Sequence, residues 1–358
     1  MTILTSPTQH ETLSQLDSTM RLRDIVKTLP LDVFTKDPRK AWFKIVLSIF
    51  MVALGMGALT ITPWYLLPIP WIFTGTALTG FFVIGHDCGH RSFSNRTWVN
   101  DLVGHLAFLP IIYPFHSWRI LHNYHHKHTN KLNVDNAWNP LTTEFYESFS
   151  PLAKWGYRQL RGRFWWFASV VHWAKIHFNW TTFNGKERKQ VRFSVLVVII
   201  SAVIGFPILL MTLGAWGFVK FWLLPWLVFH FWMSTFTLVH HTVPNIAFKN
   251  ADQWNEAQSQ LSGTVHCDYP RWIEILCHDI NVHIPHHISP GIPSYNLRQA
   301  HQSLKENWGN YLCEYRFSWS LMQEIITRCH LYHLEFNYQS FKDYYRGKSK
   351  NTNVSSLS

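Results

Sequence analysis

Twenty-two histidines in a chain of 358 residues are unusual, and many of them are clustered. Three groups stand out: His86-Asp-Cys-Gly-His90, His122-Asn-Tyr-His125-His126 and His283-Ile-Pro-His286-His287. On a helix, residues three and four apart share a face, so H-x-x-x-H and H-x-x-H-H each aim two or three imidazoles at a common point. That is metal-ligand spacing. Eight ring nitrogens exceed what one ion takes, so the pattern predicts a two-metal site. Imidazole suits zinc, copper, iron and nickel, which leaves the metal open. No thiolate belongs to the clusters, which argues against blue-copper and iron–sulfur sites.

A ligating histidine normally donates its second ring N–H to a carboxylate or carbonyl. Asp87, Asp101, Asp135 and Asp279 lie near the clusters in sequence and are the candidates for that role. His241, in the pair His240-His241, is the candidate ninth ligand. His116, His128 and His278 are close enough in sequence to support the ligands. The other histidines read as ordinary core or surface residues.

The elements that must position these side chains are apolar. From Ile45 to Gly85 there is no Asp, Glu, Lys or Arg, and none from Phe193 to Phe248 except Lys220. A bilayer core about 30 Å thick needs about 20 mostly apolar residues per helix. Each region therefore holds two spans, at about 42–61 and 69–90, then 193–211 and 215–241. Thr62 to Pro68 breaks the first pair, because proline cannot continue a helix without losing a hydrogen bond, and Thr212-Leu213-Gly214 breaks the second. Trp42, Trp64, Trp71, Trp216 and Trp222 rim these runs, where amphipathic rings favour an interface. Two shorter apolar pieces, Leu102 to Phe115 and Phe164 to Trp173, read as interfacial or re-entrant helices.

Both hairpin turns are uncharged, whereas Arg91 to Arg192 carries fourteen Lys or Arg. The positive-inside rule then places both termini and the central segment on the cytoplasmic side. All three histidine clusters can meet there without crossing lipid. The expected architecture is an all-α integral membrane protein, with four transmembrane helices in two hairpins and a helical cytoplasmic cap holding a dimetal site. Its parts are a cytoplasmic N-terminal segment (1–40), a membrane domain (41–241) with an intervening cytoplasmic segment (91–192), a C-terminal cap (242–345) and a tail (346–358). Met1 to Lys40 lacks the basic start and apolar core of a signal peptide. The mean hydropathy of −0.05 averages apolar spans with a polar cap and does not argue for a soluble protein.

Cys88, Cys267, Cys277, Cys313 and Cys329 are odd in number and contain no C-x-x-C pair, so they read as reduced thiols rather than a disulfide scaffold. The net charge of +11 is not gathered into a dense basic block, which argues against nucleic-acid binding. No G-x-G-x-x-G fingerprint and no H-P-G-G motif of a fused cytochrome b5 occur, so any electrons come from a separate carrier.

The motifs HDCGHRSF (His86 to Phe93), NDLVGHLAFLPIIYPFHSWR (Asn100 to Arg119), HNYHHKHTN (His122 to Asn130), DNAWNP (Asp135 to Pro140), GTVHCDYPRW (Gly263 to Trp272), HDINVHIPHH (His278 to His287) and PSYNLRQAH (Pro293 to His301) resemble those of membrane fatty-acid desaturases. The likeness covers about residues 29–331 and is strongest to the cyanobacterial and plastid acyl-lipid Δ12 (omega-6) branch. HTNKLNVDNAW, after the second box, separates the chain from the Δ15 pattern. Asn123-Tyr124 and Asn245 depart from the usual pattern and spare every ligand.

The resemblance implies two non-haem irons held by His86, His90, His122, His125, His126, His283, His286 and His287. It also implies O2 as oxidant, a lipid-linked monounsaturated acyl chain as substrate, and ferredoxin as electron donor. The membrane would be the thylakoid or plasma membrane, with the active site on the cytoplasmic side. An unactivated C–H bond has no acidic proton, so a redox cofactor must carry the hard step. The basic cytoplasmic face would attract a small acidic carrier or anionic lipid. Aromatics of the fourth span and of Leu106 to Phe115 are candidate walls of an acyl groove. The alternatives are another regiospecificity (Δ15/omega-3 or Δ9), a fatty-acyl hydroxylase on the same scaffold, or a membrane metal carrier without lipid chemistry.

Overall fold

The computed structural model describes residues 16–355, with side chains as far as Ser349. The first 15 residues of the expected N-terminal segment and the last three of the expected tail lie outside the described residues. The chain is mostly helical. A short helix α1 (Leu22–Val26) precedes two long ones, α2 (Pro38–Ile61) and α3 (Pro68–Gly89), followed by α4 (Thr97–Phe108) and α5 (Phe115–His128). The central segment adds α6 (Thr143–Glu147), α7 (Pro151–Arg161) and α8 (Ala168–His172) before the long α9 (Gly185–Phe218) and α10 (Leu224–His241). After these come α11 (Glu256–Ser262), α12 (Arg271–Leu276), α13 (His283–Ile288), α14 (Leu297–Trp308), α15 (Trp319–Arg328) and α16 (Phe341–Ser355).

The expected helical architecture holds in the main, with two short two-stranded sheets added. Strands β1 (Val265–Asp268) and β2 (Cys313–Arg316) pair in parallel, and β3 (Leu331–His333) pairs antiparallel with β4 (Asn337–Gln339). β1 is buried from Val265 to Cys267 and reaches the surface only at Asp268. The helix α16 also continues through residues 346–355, where a tail was expected.

Helix α2 begins where the Asp37 carboxylate accepts from the backbone N–H of Arg39 and Lys40, with Pro38 in the first helical position. It ends before Thr62-Pro63. Three helical runs are long and apolar enough to cross a membrane: Pro38–Ile61, Pro68–Gly89 and Gly185–His241. In its most apolar stretch α3 is 67% buried, against 17% for the first and third runs. So α3 is the inner helix, and the others turn Phe43, Val46, Phe50, Ile200, Val203 and Ile204 outward. Large exposed apolar faces mark contact with a membrane or another protein, and three helices of this length and composition suggest a membrane.

The third run does not continue straight. Gly214 has φ 67° and ψ 178°, a region almost restricted to glycine. Phe206 and Trp222 would lie about 24 Å apart on a straight helix, yet their ring centroids are 4.5 Å apart. The chain therefore reverses at Gly214, within the Thr212-Leu213-Gly214 break. Trp71 meets Trp216 at 6.4 Å and donates its indole N–H to the Lys220 carbonyl at 2.9 Å, which puts both turns at one end of the bundle. Gly214 has open space around it, so Gly214→Ala tests conformation alone. It is expected to cost about 1–3 kcal/mol, read as a lower unfolding temperature in detergent.

Close packing brings the opposite ends of these helices together. Gly85 of α3 lies so near Phe108 of α4 that a Cβ there would clash with the ring. Phe108, Ile111 and Phe115 are buried against α3, while Trp98, Leu102 and Leu106 leave the opposite face of α4 exposed and apolar. In the described part of the expected N-terminal segment, Ile25, Leu29 and Val33 share a core with Leu261, Val282, Ile284, Leu297 and Leu304. All five cysteines are buried free thiols.

Glu314 on β2 accepts from His301 at 2.7 Å and from Lys305 at 2.7 Å. The His301 hydrogen bond, opposed by partial burial and reinforced by Lys305, pulls its pKa from 4.5 down to about 2. A depressed folded-state pKa contributes stability above the unfolded value, and that stability is lost as pH falls from about 4.5 to about 2. Glu314→Gln should flatten acid unfolding in that window and cost at most about 1 kcal/mol at neutral pH, because the pair is partly exposed. A pH series of unfolding temperatures measures both.

Candidate metal centre

Three long helices deliver histidines from their last turns. His86 and His90 close α3, His122, His125 and His126 close α5, and His240 and His241 close α10, while His283, His286 and His287 occupy α13. A helix C-terminus carries about half a negative charge, so three converging C-termini favour cations where the ligands themselves are neutral.

The imidazoles form two adjoining sets. In one, ring nitrogens of His86, His90, His122, His126 and His286 all lie within 4.8 Å of one another, and in the other so do those of His125, His241 and His287. His283 adjoins the second set, with its Nε2 3.0 Å from His241 Nε2. The sets touch where His126 and His287 approach to 4.2 Å between ring centroids. All eight box histidines and His241 are thereby brought together. His240 stacks on His283 at 4.5 Å but belongs to neither set.

The donor geometry fits metal ions. Nε2–Nε2 distances are 3.0 Å for His86–His286, 3.0 Å for His286–His126 and 3.1 Å for His126–His122. Nitrogens at about 2.1 Å from an ion and at right angles to each other are separated by about 3.0 Å. Nε2 of His90, His125 and His287 are buried without a hydrogen-bond partner, a costly arrangement for polar atoms unless a ligand satisfies them. Burial, and then the neighbouring imidazoles, push the pKa values of His122, His126, His283, His286 and His287 well below the usual range. These rings are neutral at pH 7, with a lone pair to give.

The supporting shell differs from the sequence expectation. Asp135 is buried, and its Oδ1 accepts from His125 Nδ1 at 2.7 Å, which turns His125 Nε2 inward. Asp87 lies 3.5 Å from His86 Nδ1, and its other oxygen accepts from the backbone and hydroxyl of Ser294. Asp101 and Asp279 do not support ligands. Asp101 pairs with Arg91 at 2.8 Å, and Asp279 pairs with Arg271 at 2.7 Å and Arg298 at 2.6 Å, because guanidinium groups from neighbouring turns reach them first. His116 and His278 pair with Ser194 and Ser48 instead, His116 through its backbone N–H, and His128 packs on Tyr124.

Sequence reasoning missed Gln260. Its Oε1 accepts from His287 Nδ1 at 2.8 Å, and its amide donates to the His126 carbonyl. No motif around Gln260 marks it; only the fold brings α11 to α13.

A cavity of about 510 Å³ opens onto His86, His122, His125, His241 and His283. Phe82, Val83, Met233, Phe236 and Ile280 form apolar walls, and Trp138, Tyr157, Arg161 and Lys175 line it as well. Of the aromatics expected to line a groove, Phe236 and Tyr113 do so, whereas Phe108, Phe115, Trp226 and Phe229 pack in the core.

A sequence model of the fatty acid desaturase family matches residues 62–319. The sn-1 oleoyl-lipid 12-desaturase of Picosynechococcus sp. is 61% identical over 341 residues, 95% of this chain and 98% of that protein. The enzyme of the same name from Synechocystis sp. is 58% identical over 322 residues, 90% of this chain and 92% of its own. The chloroplastic omega-6 fatty acid desaturase of Spinacia oleracea is 53% identical over 330 residues, 91% of this chain and 73% of its own. With nine imidazoles gathered beside an apolar cavity and identities this high over nearly the whole length, the chain belongs to the fatty acid desaturase family, in the branch of the cyanobacterial and plastid 12-desaturases.

Proposed function

We propose that this protein introduces a second cis double bond, at the Δ12 position, into an oleoyl chain of a membrane lipid. The observation that carries this reading is the 510 Å³ apolar cavity ending on imidazoles of both sets. The reaction removes two hydrogens from adjacent methylenes and reduces O2 to two waters, with two further electrons and two protons from outside. Two non-haem irons, held by the five histidines of one set and the four of the other, would supply the oxidising power.

The protein's own side chains do the rest. Phe82, Val83, Met233, Phe236 and Ile280 hold the acyl chain by apolar contact and keep water from it. Asp135 and Gln260 keep a proton on Nδ1 of His125 and His287, which leaves each Nε2 free to bind. Ferredoxin is the electron donor, attracted to a basic face.

The topology we infer has four spans, with the two helical arms of Gly185–His241 as the second pair. The turns at Trp64–Leu66 and Gly214 share one side, and the histidines lie at the other, which the central Lys and Arg assign to the cytoplasm. The described part of the N-terminal segment, 16–40, together with 91–192 and 242–345 forms the cytoplasmic cap, on a thylakoid or plasma membrane.

The test is expression, together with a ferredoxin system, in a host whose lipids stop at monounsaturated chains. Gas chromatography should show a new diene with its second bond at Δ12. A hydroxy acid, or a bond elsewhere, would replace this reading with its nearest rivals. An assay of the active protein should find about two irons per chain, and one or fewer would refute the di-iron centre.

A further inference from the structure

A second groove, of about 540 Å³, lies on the outer surface between α2 and α12, and no residue lining it lines the cavity beside the imidazoles. On α2, Arg39, Lys40, Phe43, Lys44 and Leu47 face it, and Arg271, Ile275 and Tyr295 complete its walls. Its carboxylates are already engaged. Asp279 and Glu274 are shared between Arg271 and Arg298, at 2.6 to 3.2 Å. Asp37 accepts from backbone N–H groups of Arg39 and Lys40. Among the described residues, the side chains of Arg39 and Lys40 therefore have no carboxylate partner. The ammonium groups of Lys40 and Lys44 both sit 5.7 Å from the Tyr295 ring centroid, but that of Lys44 already donates to Ser294 Oγ at 2.7 Å and to the His278 carbonyl at 3.4 Å, which leaves Lys40 and Arg39 as the cations open to a ligand.

The order of side chains along the groove identifies the ligand chemistry. Arg39 and Lys40 precede Phe43 and Leu47 in the direction in which α2 runs from Asp37 into its apolar stretch, and Trp42, exposed, marks the boundary. On the other wall, exposed Ile275 follows Arg271 in the same way. Cationic groups followed by an apolar wall match a phosphodiester followed by an acyl chain. A free phosphate would leave the apolar wall unused, and an acidic protein surface would not reach past Phe43.

We propose that this groove binds an anionic phospholipid, with its phosphodiester against Arg39 and Lys40 and an acyl chain along Phe43, Leu47 and Ile275. The proposal rests on the reading of α2 as a membrane helix.

The test uses the iron-loaded protein in phosphatidylcholine nanodiscs, to which dibrominated phosphatidylglycerol or dibrominated phosphatidylcholine is added. Bromine quenches nearby tryptophan, and the exposed Trp42 and Trp272 adjoin the groove residues Phe43 and Arg271 in sequence. Phosphatidylglycerol is expected to quench in excess of phosphatidylcholine and to saturate. The double variant R39Q/K40Q should weaken that excess roughly thirtyfold, in line with the contribution of two cations near an anionic surface. The charge-conserving R39K/K40R should retain it.

An equal effect of the two lipids, or an excess unchanged in R39Q/K40Q, overturns the proposal. So does displacement by glycerophosphate, which would show a small-anion site, or by a small acidic protein, which would show a protein dock. A protein that fails to enter nanodiscs refutes the membrane reading as well, whereas lost discrimination in an inserted protein refutes the lipid site alone.

Discussion

His122→Ala should reduce diene formation to background, a loss greater than about 100-fold, while the protein still inserts in the membrane. His122 contributes one of the five nitrogens of its set, with Nε2 3.1 Å from His126 Nε2. Its ring also lies 5.0 Å from those of His86 and His90 and stacks on Trp118 at 4.6 Å. No remaining side chain of α5 can take its place, because the next residues on the same face, His125 and His126, are already committed. Loss of a mere supporting partner of a ligand costs about 10–100-fold, so loss of the ligand itself should exceed that. Alanine is the best helix former, and His122 is only half-buried, so the fold should tolerate the change. Product by gas chromatography, membrane-fraction yield and iron content are the three measurements. Activity retained at a tenth of wild type would show that the second box is structural.

Asp135→Asn should lower turnover by about 10–100-fold and weaken metal retention. The buried carboxylate accepts three hydrogen bonds: from His125 Nδ1 at 2.7 Å, from the Asn130 N–H at 2.7 Å and from the Ala137 N–H at 2.9 Å. An amide of the same shape must point its own N–H groups at a donor, which breaks at least one of the three. If His125 Nδ1 loses its acceptor, the tautomer that presents Nε2 to the centre is no longer favoured. Asp101→Asn is the matched control. Its carboxylate pairs with Arg91 in a partly exposed position, and such pairs contribute about 0–1 kcal/mol. Iron content and turnover should therefore separate the two aspartates, and equal effects would refute the role assigned to Asp135.

The two aspartates show how far sequence reasoning reaches. Both lie near a histidine box, and nothing in their local sequence tells them apart. Asp135 supports a ligand because the loop after α5 bends back, with Asn130 and Asn133 in left-handed backbone conformations, and returns the carboxylate to His125. Asp101 has Arg91 within reach first. The reversal at Gly214 was legible, because a glycine between two charge-free runs is a chemical signal in itself. The paired strands in the C-terminal part were not: β1 and β2 pair across the whole of α12, α13 and α14, and β3 and β4 are three residues each, too short to carry a period.

By itself, the sequence determined that histidines would act in groups, because a spacing of three or four residues puts side chains on one helix face whatever surrounds the helix. It also determined the apolar runs and where they break, because these depend on composition and local backbone freedom. Only the tertiary structure decided how the boxes divide. Neighbouring residues on a helix diverge by about 100°, so His125 turns toward His241 and His287 while His126 turns toward His86, His90, His122 and His286. His286 and His287 separate in the same way. Each metal set is therefore assembled from several boxes at once, and Gln260 joins from a helix that no spacing connects to them. Which face meets which partner depends on how α3, α5, α10 and α13 pack, and no local pattern records it.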